Sequence, residues 1–116
     1  MVIGLCEITM HLRQVRSLKD KRSVVRAIVD RSRARFPVSI AETAGNDDLR
    51  RAVIGFSLVT NDRRFAESSL DHVLEFIGGL HLAEIVAVDR EILSWGGPVF
   101  GAGLTLADID PSEETP

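Results

Sequence analysis

Between Val2 and Leu12 the chain alternates. Val2, Gly4, Cys6, Ile8, Met10 and Leu12 fall on one side, and Ile3, Leu5, Glu7, Thr9 and His11 on the other. A period of two with one apolar side predicts a strand that buries a single face. The period then changes. Ser17, followed three residues later by Asp20, predicts a capped helix start. From there Leu18, Val25, Ile28, Val29, Ser32 and Phe36 gather on one side at helical spacing, and Pro37 stops the helix. The segment PVSIAET predicts a second strand, and Gly45-Asn46 with Asp47 and Asp48 a hairpin connection. Ala52 to Thr60 is a third, strongly apolar strand. Asn61 or Asp62 caps a second helix in which Ala66, Leu70, Val73 and Ile77 repeat at helical spacing before Gly78-Gly79. A last strand runs from about Ala83 to Leu93.

The order is therefore βαββαβ. Two right-handed βαβ crossovers interlocked in that order give a four-stranded antiparallel sheet with both helices on one face, the ferredoxin-like α+β sandwich. The domain is expected over residues 1–93, and 116 residues leave room for one domain only. After Leu93 the composition shifts to SWGGPVFGAGLTLADIDPSEETP, rich in glycine and proline and acidic at its end. Residues 94–116 read as a tail in which Trp95, Val99, Phe100 and Leu104 are expected to pack on the domain, with disorder from about Asp108.

Composition changes the picture of function more than that of the fold. Hydrophobic residues make up 45% of the chain and charged ones 27%, the balance of a globular rather than a disordered protein. The net charge of −3 is too small to hold the molecule on nucleic acid or a membrane by itself. Its distribution is uneven. Up to Phe36 nine Lys and Arg face three acids, a balance of +6, whereas the remaining chain has five against fourteen, a balance of −9. The excess falls on Arg13, Arg16, Lys19, Lys21, Arg22 and Arg26, at the exit of the first strand and in the first turns of the first helix. Free N–H groups at a helix N-terminus suit an anion, and cations placed there are mildly unfavourable until an anion joins them. These six residues are the candidate phosphate-binding set, with Lys19, Arg22, Arg26 and Arg33 forming a narrow stripe along the helix.

Cys6 is the single cysteine and lies in an alternating apolar run, which excludes an intramolecular disulfide or a Cys-x-x-Cys site and predicts a small buried side chain. No apolar run approaches the ~20 residues of a membrane span, and no basic leader precedes one, so a cytoplasmic location is expected. Glu7 and His11, four residues apart on one strand, are ~13 Å apart, too far to share a metal ion. His72 and His81 lack Cys or carboxylate partners at ligand spacing. The glycine pairs 78-79, 96-97 and 101-103 do not follow a strand and open a helix, as dinucleotide binding requires. No metal or cofactor is expected.

The opening VIGLCEITMHL, the motif RSLKDKRSVVRAIVDRSRARF, the strand VSIAET and IGFSLVTND before the second helix together resemble the YlxP-like family of small bacterial proteins, a family of unknown function numbered five hundred and three. The likeness covers about residues 1–93, and SLKDKR with the strand before it is its specific part. It implies a ferredoxin-like fold. Because such genes often sit beside those for initiation factor two and ribosome-binding factor A, it also implies a link to translation or ribosome maturation. The connection between the second and third strands departs from the pattern. Relatives tend to carry an acidic segment with histidine and tryptophan where this chain has AGNDDLRRA. Only the SLKDKR positions are carried over.

Acylphosphatases share this fold and use an arginine in the first strand–helix loop with an asparagine near the end of strand three. Arg13 or Arg16 and Asn61 mimic that pair loosely. The segment after His11 contains no glycine to cradle a phosphate, and Asn61 serves better as a helix cap, so no catalytic residue is assigned. RNA recognition on a sheet surface needs exposed aromatics, and the only one in a strand is Phe56, expected to face the helices. The expectation is a non-enzymatic binding domain that docks its basic first helix on RNA or a ribosomal particle, not on DNA or a membrane. Its open sheet face, with Glu7, Thr9 and His11 joined by Asp89 or Glu91, is expected to meet a second subunit, as a homodimer, or the tail. One alternative is a small-molecule-sensing regulatory module using the strand-one loop and the open sheet edge. The other is a protein-partner adaptor whose acidic tail covers the basic patch.

Overall fold

The computed structural model describes residues 1–96, with β1 (Val2–His11), α1 (Leu18–Arg35), β2 (Ser39–Ala44), β3 (Arg51–Thr60), α2 (Arg63–Gly79) and β4 (Glu84–Ser94). Three antiparallel pairings build one sheet in the order β2-β3-β1-β4. This is the ferredoxin-like α+β sandwich that the periodicities predict. The alternation in β1 sends Gly4, Cys6, Ile8 and Met10 into the core, where Ala52, Ile54, Phe56 and Leu58 of β3 join them.

Local chemistry sets where the helices begin. Ser17 holds an extended conformation and its Oγ accepts the Asp20 N–H at 3.1 Å, while the Asp20 carboxylate accepts the Arg16 N–H at 3.2 Å. For α2 the cap is Asp62, not Asn61. Its Oδ1 accepts the N–H groups of Arg64 and Phe65 at 2.9 and 3.3 Å.

The inward face of α1 departs from the periodicity reading. Leu18 is 42% exposed, and the buried residues are Lys21, Val25, Ile28 and Ser32. The reason is geometric. Extending the Val25–Ile28 line one turn toward the N-terminus reaches Lys21, whereas Leu18 falls to its side. Across the sandwich, the Phe36 and Phe76 rings meet edge to face at 5.4 Å, with the Arg35 guanidinium 5.5 Å from the Phe76 ring centre.

Trp95 prolongs the β1–β4 ladder by exchanging backbone hydrogen bonds with Met1 at 2.7 and 3.0 Å. Its side chain does not pack on the domain as expected but is 67% exposed. Val99, Phe100, Leu104 and the acidic end lie outside the described residues.

Candidate nucleic-acid interface

Three segments meet where β1 ends: the β1–α1 loop, the first turns of α1 and the β2–β3 connection. The Leu12 N–H donates to the Arg50 carbonyl at 2.9 Å, and a turn closed by the Asp48 N–H on the Gly45 carbonyl brings the connection round. Lys21 fastens this turn to α1. Its side chain is 2% exposed, and its ammonium donates to the Gly45 carbonyl and, at 2.6 Å, to the Asp48 carbonyl. The Glu42 Oε2 lies 3.3 Å away, close enough for an ion pair though not aligned as a hydrogen bond. Lys21 therefore leaves the candidate phosphate-binding set. A buried ammonium needs such partners, and moving it to a phosphate would strip the turn of its anchor.

The other predicted residues divide. Arg16, Lys19, Arg22 and Arg26 are exposed, and among the described residues none of their side chains pairs with a carboxylate. Lys19, Arg22 and Arg26 follow one another up one side of α1 at axial steps of about 4.5 and 6 Å. Arg33 continues the stripe beside the edge strand β2. It donates to the Ile40 carbonyl at 3.0 Å and stands 3.8 Å from Asp30. Arg13 turns the other way and pairs with Glu84 at the start of β4. The anion-seeking end of α1 is already served by the Asp20 carboxylate, so a phosphate would meet the stripe on the helix flank instead.

Two arginines escaped the sequence reading. Arg51 lies opposite His11 in the β1–β3 register and Arg50 precedes it, both exposed at the same end of the sheet as Arg16 and Lys19. The hairpin pairing held the clue, because a third strand antiparallel to the first must start where the first ends.

The open sheet face is a different surface. Glu7 stands opposite Asp89, Leu5 opposite Glu91, and the Thr43 hydroxyl donates to the Glu7 carboxylate at 2.9 Å. Thr43 crosses over Gly55, where a Cβ would come within 2.7 Å of its methyl group, so any larger residue there would displace Thr43. The result is a shallow concavity of about 540 Å³ bordered by Leu5, Glu7, Thr43, Asp89 and Glu91. Phe56 is 3% exposed and belongs to the core, so it offers no stacking surface. The acids across the middle of this face repel phosphate.

Cys6, free and buried, lies beneath the helices. Burial pushes its thiol up to about 11, with Arg90 pulling it down and Asp89 pushing it up by less. A thiol held that high carries almost no thiolate at neutral pH and is unreactive.

The sequence pattern of a family described as "Protein of unknown function (DUF503)" matches residues 3–90. The chain belongs to this family. The uncharacterized protein YlxP of Bacillus subtilis (strain 168) is 36% identical over 76 residues, which cover 66% of this chain and 83% of that one. Among solved structures, the de novo designed ferredoxin-fold protein LFR1 1 aligns with a TM-score of 0.47 at 14% identity, over 91% of this chain and 93% of its own. Rv0793 from Mycobacterium tuberculosis aligns at 0.42 and 17% identity, over 81% of this chain and 94% of its own. The fold assignment rests on the strand order and pairing above. The span matched to the DUF503 family holds all of α1 and hence the basic stripe, and stops short of Trp95. Among the described residues no helix is long and apolar enough to cross a membrane.

Proposed function

We propose that the domain is a non-enzymatic binding module that docks the flank of α1 on RNA, with ribosomal particles as the source to test first. The observation that carries this reading is the row Arg16, Lys19, Arg22 and Arg26, exposed and without carboxylate partners among the described residues. Ordinary surface charges on a mixed sequence tend to lie near opposite charges. A row left unpaired on a chain of net −3 is a local attraction for polyanions rather than a solubility device. Recognition would be of backbone and shape. Among the described residues Phe56 is buried, the exposed Trp95 adjoins the acidic face and the exposed Phe65 belongs to the first turn of α2, so none of the three lies on the α1 stripe.

Self-association belongs to the same reading. The end of the open face carries Met1, Val59, Leu93 and Trp95, each more than a third exposed, and a second copy would cover them. Sedimentation equilibrium over a wide concentration range tests it, and a monomer throughout would remove the homodimer.

The RNA reading is tested by co-sedimentation with ribosomal particles from gently lysed cells at low and physiological salt, beside a variant with Lys19, Arg22 and Arg26 changed to Glu. About four phosphate contacts predict a loss of roughly 100-fold in affinity as salt rises fourfold. Salt-sensitive association that the variant lacks is the expected result. Association that is absent at both salts, or equal in the variant, overturns the proposal.

A further inference from the structure

A second concavity, of about 500 Å³, opens where β1 leaves the sheet and β4 enters it. One wall is His11, Arg13 and Gln14, the other is His81 and Glu84, and Gly78, Leu82, Ala83 and Ile85 form an apolar floor. We propose that this cleft binds a free amino acid with an apolar side chain. This inference is independent of the RNA reading, because none of the lining residues belongs to the α1 stripe.

The first argument is a reversal of residue types. Gly78 lies within α2 at ordinary helical dihedrals, where alanine would be more stable. Space does not require glycine, since a Cβ there would meet only Ile85 Cδ1 at an ordinary 3.8 Å. Three residues on, just past the helix, φ is +54°, the left-handed conformation in which glycine is at ease, and the chain has His81 instead. Glycine stands where conformation does not ask for it, and histidine, one of the side chains that this region tolerates best, stands where glycine would be easier. Both departures act on the same cleft. A longer side chain at 78 would fill its floor, and glycine at 81 would remove an imidazole from its wall. Local choices that oppose stability together at one concave place mark a binding site.

The second argument is the polarity of the walls. Arg13, with Gln14 and His11 beside it, offers donors suited to a carboxylate. Glu84 and the carbonyl end of α2 offer negative charge suited to an ammonium. Arg13 and Glu84 now pair with each other, at 71% and 50% side-chain exposure. A pair that exposed contributes little, so exchanging it for the two charges of a zwitterion costs little. The ligand's carboxylate would take Arg13, its ammonium Glu84, and its side chain the Leu82–Ala83–Ile85 floor. The volume falls in the range of small-molecule sites.

The test is an amide-resolved NMR titration of the full chain with L-leucine, with 4-methylpentanoate and isoamylamine as analogues lacking one charge each. Leucine is expected to shift the amides of residues 11–14 and 78–85, and each analogue to bind at least about tenfold more weakly. Gly78→Leu fills the floor with a good helix former, so it should leave the melting temperature unchanged or higher while abolishing the shifts. Arg13→Gln, at an exposed position, should weaken binding without unfolding the protein. The proposal is overturned if millimolar leucine leaves these amides unmoved, if the analogues bind as well as leucine, or if folded Gly78→Leu protein binds as the original does.

Discussion

The two helices lie on the same face of one sheet, yet they bury different chemistry. The inward line of α2 is Ala66, Leu70, Val73 and Ile77, all aliphatic and at most 2% exposed. The inward line of α1 is Lys21, Val25, Ile28 and Ser32, with a charge at one end and a hydroxyl at the other. The outer surface of α1 is also crowded with arginine. Burial by the hydrophobic effect accounts for the whole inward line of α2. For α1 it explains only the middle, and the N-terminal end is located by Lys21 gripping the β2–β3 turn. The SLKDKR segment thus contains two kinds of cation, Lys21 buried and bonded to the turn, Lys19 and Arg22 exposed and without carboxylate partners among the described residues. The difference between the helices is a division between one seated by an aliphatic line and one whose seat depends on a buried charge and whose flank presents more.

The strongest way to break this comparison is Lys21→Ala. It would leave the Glu42 carboxylate and two turn carbonyls without their buried partner, a loss of about 3–5 kcal/mol. Lys19→Ala, two residues earlier and on the exposed side of the helix, should stay within about 0.5 kcal/mol. Urea unfolding of the two variants side by side measures the contrast. If both cost the same small amount, the buried ammonium is not an anchor, and Lys21 returns to the surface set.

This split also marks the limit of what the sequence discloses. The strands, both helices and the order βαββαβ follow from periods of 2 and 3.6, because burial on one face imposes them directly. Lys19, Arg22 and Arg26 are legible as an exposed row for the same reason: helical spacing puts them on a stripe beside the line of Val25 and Ile28, not on it. Lys21 is not legible. Residue type argues for exposure, and its burial depends on carbonyls of Gly45 and Asp48, more than twenty residues away, that only the folded hairpin delivers. Arg13 and Glu84 are similarly brought together by the β1–β4 pairing, which periodicity does not place in register. Contacts that depend on register between distant strands are where sequence reasoning stops.

A smaller effect sharpens the α2 side. Cys6 lies opposite Arg90, whose guanidinium reaches Asp71 at 2.6 Å and the Glu67 carbonyl at 3.2 Å on α2. Burial raises the thiol from 9.0 to about 11. The unfolded chain releases this proton as pH passes 9, whereas the folded chain keeps it until about 11. Stability due to this group is therefore full below pH 9 and falls as pH rises toward 11, by roughly 2–3 kcal/mol. Unfolding free energies at pH 8 and pH 10.5, for the original chain and for Cys6→Ala, isolate the contribution. The same pH dependence in both proteins would mean that the thiol is not held in an apolar environment.

The smallest effect concerns the other polar residue under α1. Ser32 is fully buried, and its hydroxyl has no hydrogen-bond partner among the described residues. An unsatisfied buried hydroxyl is a cost that alanine avoids, and alanine is also the better helix former. Ser32→Ala is thus expected to stabilise the protein by about 1 kcal/mol, a rise of roughly 4–8 °C in Tm. The direction matters more than the size. Lys21 and Ser32 are both polar intrusions on one helical line, but only the lysine has partners, so removing one should destabilise and removing the other should stabilise. Calorimetry that found Ser32→Ala less stable would show that the hydroxyl is satisfied in solution. The inner line of α1 would then be a fully bonded polar seam, and its contrast with α2 would extend along the whole helix rather than reside in Lys21.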